Sequence, residues 1–156
     1  MSVERVLELL TEQKKSIAIA ESCTAGLASF LLTSIPGASS SFKGAVVAYA
    51  NDIKTEILMV DPVVLLERGA VSEEPAIAMA KGIRGLMGAD IGLAITGIAG
   101  PGGGTETKPV GLVHMAATDG KLLVTERRRF PGERNEVRNA AAQAALDLTV
   151  ELLEME

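Results

Sequence analysis

Tryptophan is absent from this chain of 156 residues, and aromatic residues of all kinds make up only 3% of it. The core must therefore be built from Ala, Val, Ile, Leu and Met, which pack densely between helices and a sheet. Single-stranded nucleic acids are usually bound by aromatic stacking, and the net charge of −5 lacks the basic excess of a nucleic-acid-binding protein. We expect no nucleic-acid partner.

Cysteine and histidine occur once each, as Cys23 and His114. A single cysteine excludes an internal disulfide and is compatible with a reducing compartment. The sequence also lacks an HExxH motif and paired cysteines, so it offers no recognisable zinc site. We expect neither a metal nor another cofactor.

Long apolar segments are missing as well. No apolar run reaches ~18 residues without a charge or a glycine, so nothing is expected to span a bilayer, and the N-terminus lacks the pattern of a signal peptide. Hydrophobic residues still make up 47% of the chain, which suffices for a folded core. We expect a cytoplasmic protein without a membrane partner, folded as a single domain over residues 1–156.

Apolar periodicity alternates between helix and buried strand along the chain. Helices are predicted at 3–12, 24–33, 52–59, 73–87 and 133–153, and strands at 16–20, 44–50, 91–95, 110–118 and 121–130. Asn51 and Ser72 are the expected N-caps of two of these helices, and residues 63–71 stay ambiguous between helix and loop. Asp119-Gly120 is the expected two-residue link of a hairpin. The alternation predicts an α/β fold with a mostly parallel sheet and helices on both faces.

Ligands of open α/β sheets bind beyond the carboxyl ends of the strands. Three corners of the predicted fold qualify: residues 21–24, 51–54 and 96–104. Polar and glycine residues are concentrated at these corners. We therefore expect an active or binding site there.

Ser22 is the candidate nucleophile, because free N–H groups at a helix start can hold an oxyanion while its hydroxyl attacks a carbonyl. A plain helix cap is the commoner role of such a serine. Lys54 is the candidate base, since burial can lower the pKa of a lysine; an ordinary solvated lysine is the alternative. Tyr49 could orient Lys54 or a substrate, and Cys23 is the rival nucleophile. His114 lies mid-strand, away from the corners, and gives little support to a Ser-His-Asp triad.

The glycine-rich stretch 97–104 can bring backbone N–H groups close to an anion, although a flexible connector has the same composition. Thr96 at its start could hydrogen-bond a phosphate or a ribose. Arg134 and Arg138 project from one face of the last helix, and a guanidinium suits phosphate; a solvated helix end is the alternative. The predicted substrate-binding residues are Cys23, Thr24, Thr96, Gly97, Gly100, Gly102, Gly103, Arg134 and Arg138.

Three strings occur in order along the chain: Glu21-Ser22-Cys23-Thr24-Ala25-Gly26, Val47-Ala48-Tyr49-Ala50-Asn51 with Lys54, and Thr96-Gly97-Ile98-Ala99-Gly100-Pro101-Gly102-Gly103. Together with Pro131-Gly132-Glu133-Arg134 and Arg138 they resemble the CinA C-terminal family over essentially the whole chain. Members of that family are nicotinamide mononucleotide deamidases, also called nicotinamide-nucleotide amidohydrolases.

The resemblance implies a three-layer α/β/α fold with a five-stranded mixed sheet of order 2-1-3-4-5, strand 4 antiparallel. It makes Ser22 the nucleophile and Lys54 the base, with Tyr49 as the third catalytic residue. It implies hydrolysis of nicotinamide mononucleotide to nicotinate mononucleotide and ammonia, in pyridine nucleotide recycling. The expected partners are this small-molecule substrate and further copies of the chain in a homo-oligomer.

Two features depart from the usual pattern of that family. Its motif has two glycines where this chain has Ala25-Gly26, which adds one methyl group near the oxyanion corner. Many relatives also carry a molybdopterin-binding-like domain, for which 156 residues leave no room, so we expect a stand-alone form. A catalytically silent nucleotide- or phosphate-binding module with the same fold is the alternative function.

Overall fold

The computed structural model describes residues 3–155. Six helices and five strands follow one another as α1 Val3–Gln13, β1 Ile17–Glu21, α2 Leu27–Thr33, β2 Phe42–Val47, α3 Asn51–Glu56, α4 Pro62–Arg68, α5 Glu73–Met87, β3 Ile91–Gly97, β4 Leu112–Thr118, β5 Leu123–Arg129 and α6 Arg134–Glu154. A short 3-10 helix, Ala38–Ser40, precedes β2.

The five strands form one mixed sheet in the order β2-β1-β3-β4-β5. β1 runs parallel to both β2 and β3, and β4 is antiparallel to β3 and β5. The α/β class, the strand order and the antiparallel fourth strand are confirmed. The order reverses between β1 and β3, which is where an open sheet leaves a crevice for a ligand.

The two faces of the sheet are lined by side chains of different size. Ile17 and Ile19 pack with α1, α2 and α6 in one cluster, whereas Ala18 and Ala20 pack with α5 in the other. The period of two along β1 thus separates a layer of large side chains from a layer of small ones. α5 consequently lies very close to the sheet: a Cβ on Gly92 would sit 2.2 Å from the carbonyl oxygen of Ala80.

The second helix begins later than predicted, at Leu27 rather than at residue 24. Ala25 (φ 47°) and Gly26 (φ 98°) both have left-handed backbone conformations, which cannot continue a right-handed helix. Residues 22–26 form an irregular turn between β1 and α2, here called the nucleophile turn. Ala25 thus supplies, at some conformational cost, a backbone geometry that glycine adopts freely.

One of the two predicted caps is wrong, and the other is confirmed in position. Ala50 is the N-cap of α3, and Asn51 is already helical. Ser72 is the N-cap of α5, as predicted, but its hydroxyl donates to the Gly69 carbonyl and accepts from no helix N–H. The ambiguous segment contains α4, whose N-cap Asp61 accepts a hydrogen bond from the Val63 N–H.

The hairpin between β4 and β5 is confirmed, but its link is longer than the predicted two residues. Thr118 pairs with Leu123, so residues 119–122 form the connection. The Asp119 carboxylate accepts from the N–H groups of Lys121 and Leu122, which stabilises a turn of this length.

Candidate functional site

A cavity of about 270 Å³ opens where β1, β2 and β3 end. It brings together residues that lie far apart in the sequence. The predicted site residues that line it are Ser22, Cys23, Tyr49, Lys54, Thr96, Gly97, Gly100, Gly102, Gly103 and Arg134. Thr24 and Arg138 do not line it.

Ser22 follows β1 directly and is 8% exposed, within the cavity wall. Its N–H donates to the Ile95 carbonyl on β3, so this amide is unavailable to a ligand. The N–H groups of Cys23 and Thr24 donate to no backbone carbonyl in the described part of the chain. The sequence predicted that donors for an oxyanion near Ser22 would come from the first turn of a helix. In the structure such donors would come from the nucleophile turn instead.

Lys54 is an almost fully buried lysine, with 1% of its surface exposed. Its Nζ donates to the Tyr49 carbonyl at 3.1 Å. Burial lowers the pKa of the Lys54 amine below 10.5, while the nearby Cys23 acts weakly in the opposite direction. Among residues 3–155 no hydrogen bond joins this amine to the Ser22 hydroxyl, although both groups line the same cavity.

Arg134 connects two sides of the cavity. One guanidinium nitrogen donates to the Gly100 carbonyl at 2.7 Å and the other to the Tyr49 hydroxyl at 3.0 Å. Tyr49 is 58% exposed, so this bridge lies at the solvent side of the site. It places one cation between the glycine-rich loop and the end of β2.

A second cavity, of about 620 Å³, adjoins the first and shares Ala99 and Arg134 with it. Pro101 of the glycine-rich loop lines it, together with Val110 and the start of α6. Arg134 thus lines both cavities.

Cys23 lines the same cavity, but its thiol has low reactivity as a nucleophile. Burial raises the pKa of its thiol to about 11, so the thiol is protonated at neutral pH and is a poor nucleophile. It also lies close to Gly97, where an added Cβ would sit 3.1 Å from the sulfur and 2.7 Å from a methyl group of Val113. Glycine is therefore required at residue 97.

Three predicted ligand contacts are met by protein groups instead. The Thr96 hydroxyl donates to the Ala70 carbonyl at 3.0 Å, and the buried Thr24 hydroxyl donates to Glu21. The Arg138 guanidinium donates to the carbonyls of Cys23 and Thr24 at 3.0 and 3.3 Å. The sequence left open which of Arg134 and Arg138 would contact a phosphate. Arg134 lines the cavity, whereas Arg138 does not and instead holds the nucleophile turn.

Several residues at or beside the cavity were not among the predicted catalytic or substrate-binding residues. Asn51, Ala70 and Val71 line the cavity, and nothing in the ambiguous stretch 63–71 indicated that its end would lie there. Glu21 is fully buried behind Ser22; an acidic residue at the end of an apolar strand was the signal that could have found it.

His114 is half-buried in β4, between Thr96 on β3 and Arg127 on β5, and does not line the cavity. Burial lowers the pKa of its imidazole, and Arg127 acts in the same direction. Among residues 3–155 there is no group of three or more His, Cys, Asp or Glu side chains placed to hold a metal ion. No helix in this described range has the length and apolar character needed to cross a membrane.

The model of the CinA C-terminal domain matches residues 1–153. The chain belongs to this family. A CinA-like protein of Acidobacterium capsulatum is 50% identical over 143 residues, 92% of this chain and 34% of the relative. A CinA-like protein of Thermotoga maritima is 48% identical over 144 residues, 92% of this chain and 35% of the relative. The chain thus spans about a third of the length of the curated relatives it matches.

Solved structures of CinA proteins share the whole fold. The competence/damage inducible protein CihA from Agrobacterium tumefaciens has a TM-score of 0.91 at 37% identity, covering 96% of this chain and 94% of that one. A CinA superfamily protein from Klebsiella pneumoniae has a TM-score of 0.94 at 32% identity, covering 99% and 96%.

Proposed function

We propose that this CinA domain is a metal-independent amidohydrolase that converts nicotinamide mononucleotide and water into nicotinate mononucleotide and ammonia. The observation that carries the proposal is the buried amine of Lys54 in the same cavity as the Ser22 hydroxyl. A lysine whose pKa is lowered by burial is a base suited to activating a serine without a histidine. Family membership supports the reaction class.

The first half-reaction forms an acyl-enzyme. Neutral Lys54 takes the proton of the Ser22 hydroxyl, directly or through one water molecule, as the substrate closes the site. The Ser22 oxygen attacks the carboxamide carbon, and the negative charge on the former carbonyl oxygen is held by backbone N–H groups of the nucleophile turn that face the cavity, the Cys23 N–H first among them. The Lys54 ammonium then protonates the leaving nitrogen, and ammonia departs.

The second half-reaction releases the acid. Lys54, neutral again, takes a proton from water, and the resulting hydroxide attacks the ester carbon. The carbon–oxygen bond to Ser22 breaks, the hydroxyl regains its proton from Lys54, and nicotinate mononucleotide leaves.

The phosphate is the part of this substrate that suits Arg134. The arginine is a cation between two cavities, and the neighbouring glycine-rich loop lets backbone approach an anion closely. The reaction cavity of about 270 Å³ lies below the usual range of ligand pockets, ~300–1,000 Å³. The adjoining cavity supplies the remaining room for a mononucleotide.

The test is ammonia release from nicotinamide mononucleotide and from nicotinamide, each with a chelator present. Binding energy from the remote phosphate serves the chemical step, so we expect kcat/KM for the nucleotide to exceed that for nicotinamide by about 100-fold or more. Equal turnover of the two would exclude phosphate-assisted catalysis. Binding of the nucleotide without ammonia release would favour the silent binding module.

Cys23→Ala separates the two candidate nucleophiles. Because the thiol of Cys23 is protonated at neutral pH, we expect the variant to keep kcat within about threefold of the wild type, which is the scale of a lost packing contact rather than a lost nucleophile. Steady-state ammonia release checks this. A loss of several orders of magnitude in a folded Cys23→Ala would transfer the nucleophile's role to the thiol.

A further inference from the structure

A buried carboxylate lies directly behind the candidate nucleophile. Glu21 ends β1 and has no exposed surface. One carboxylate oxygen accepts from the Thr24 hydroxyl at 2.6 Å and from the Ala28 N–H at 2.9 Å. The other accepts from the N–H and the hydroxyl of Ser29 at 3.0 and 2.6 Å.

This carboxylate is compensated by hydrogen bonds rather than by a cation. Among residues 3–155 no Lys, Arg or His forms an ion pair with Glu21. Burying a carboxylate is costly unless it is hydrogen-bonded, and four donors directed at it offset that cost. An apolar side chain would leave these four donors without a partner, which is itself costly. Glu21 therefore satisfies its four donors and fixes where they lie.

One of those donors belongs to the nucleophile turn. Ala25 and Gly26 hold consecutive left-handed conformations there, and a strained backbone of this kind persists only where its surroundings determine it. The Thr24 hydroxyl fixes the turn from the sheet side, through Glu21, and Arg138 fixes it from α6. Ser22 and the N–H groups of Cys23 and Thr24, which donate to no backbone carbonyl in the described residues, are parts of the segment held in this way.

We propose that Glu21 and Thr24 are a positioning pair, in which the Glu21 carboxylate holds the Thr24 hydroxyl so that the nucleophile turn presents Ser22 and its neighbouring N–H groups in reactive geometry. The pair rests on the proposed function in that Ser22 is taken as the reacting group. Thr24 acts through the turn, since it is fully buried and does not line the cavity.

The chain offers a matched pair of variants. Thr24→Val and Ser29→Ala each remove one hydroxyl that donates to Glu21 at 2.6 Å, but only the first lies in the nucleophile turn. Glu21→Gln is less informative, because its amide N–H₂ group would face existing donors and threaten the fold. Thr24→Ser restores the hydroxyl and serves as the conservative variant.

Two readouts are measured on each folded variant: kcat and KM for nicotinamide mononucleotide, and the rate at which a sulfonyl fluoride labels Ser22, followed by mass spectrometry. Misplacement of a reacting group by about 1 Å can cost ~100-fold, so we expect Thr24→Val to lower kcat and the labelling rate by about tenfold or more, with KM nearly unchanged. Ser29→Ala should leave both rates within about twofold, and Thr24→Ser should restore them. Urea unfolding should show similar losses of stability for Thr24→Val and Ser29→Ala.

Equal losses of labelling rate in Thr24→Val and Ser29→Ala would overturn the positioning pair. An unchanged labelling rate in Thr24→Val would overturn it as well, and so would a wild-type protein whose Ser22 is not labelled at all. If the wild type releases no ammonia from nicotinamide mononucleotide but the labelling differences hold, the pair stands and the proposed substrate fails.

Discussion

Lys54→Met is expected to lower ammonia release from nicotinamide mononucleotide by about 10²- to 10⁴-fold, the usual contribution of a general base. Methionine fills much of the same buried volume without a titratable group, so the cavity should keep its shape. The α3 backbone is held independently of the side chain, through the bond from the Val60 N–H to the Lys54 carbonyl. The measurement is kcat/KM, with circular dichroism to show that the variant is folded.

The pH dependence of the wild type should identify the base. Only the neutral amine of Lys54 accepts a proton, so kcat/KM should rise with pH up to the lowered pKa of this lysine, which lies below 10.5. The residual activity of Lys54→Met should lack this rise. A wild-type profile that stays flat across the same range would show that Lys54 is not the base.

The free energy of unfolding should also depend on the protonation of Lys54. Because the folded-state pKa of Lys54 is lowered, the unfolded state binds more protons between that pKa and the ordinary value of 10.5. The contribution of Lys54 to the free energy of unfolding therefore rises with pH in this window, and Lys54→Met should remove that rise. The variant should also resist urea better than the wild type at neutral pH, since it no longer buries an amine.

Ser22→Ala tests whether the serine and the lysine act as a unit. We expect its activity to fall at least as far as that of Lys54→Met, and the double variant to fall no further than Ser22→Ala alone. If the increases in activation free energy of the two single variants added up in the double variant, Ser22 and Lys54 would not act in one shared step. A Ser22→Ala variant that still binds the nucleotide separates lost chemistry from lost binding.

Gly82→Ala is expected to destabilise the fold by about 3 kcal/mol, the upper part of the usual range for overpacking. An added Cβ would sit 2.0 Å from the carbonyl oxygen of Leu58 and 2.9 Å from its carbonyl carbon. Both are backbone atoms of the segment that follows α3, so neither can rotate away. α5 would have to shift outward, which would disturb the small-residue layer against the sheet. Equilibrium urea unfolding measures the loss.

Gly85→Ala is the matched control on the same helix. Gly85 is exposed, and an added Cβ there meets nothing within 4 Å. Alanine has a higher helix propensity than glycine by up to ~1 kcal/mol, so this variant should be more stable than the wild type. If Gly82→Ala were as stable as Gly85→Ala, the close packing of α5 on Leu58 would be refuted.

The sheet could be predicted from the sequence because each buried strand is an unbroken apolar run between helical patterns, as in residues 16–20 and 91–95. The start of α2 and the side-chain partner of Ser72 could not be predicted in this way. The left-handed conformation of Ala25 is unusual for a residue with a Cβ, so the sequence favoured a helix from residue 24. The Ser72 hydroxyl donates to the carbonyl of Gly69, three residues earlier, and does not accept from a helix N–H. This hydrogen bond depends on the path of the preceding loop.

The positions of residues at the carboxyl ends of the strands predicted which of them come together. They did not predict the hydrogen-bond partners of each side chain. Arg134 and Arg138 share a helix face by spacing, yet one reaches the glycine-rich loop and the other the nucleophile turn. Their different partners follow from which segment packs beside each turn of α6. The role of Glu21 depends in the same way on donors of α2, which become its neighbours only once the fold has formed.

The order in which the cavity walls occur along the chain has a consequence during translation. A ribosome that has just synthesised β3 has already made Ser22, Lys54 and Thr96, but α6, which packs on β3 and β4 and carries Arg134, is still to come. Arg138 of the same helix holds the nucleophile turn. A nascent or prematurely terminated chain that lacks α6 therefore carries these side chains without the helix that completes and braces their site, and the proposed reaction requires that α6 has been synthesised.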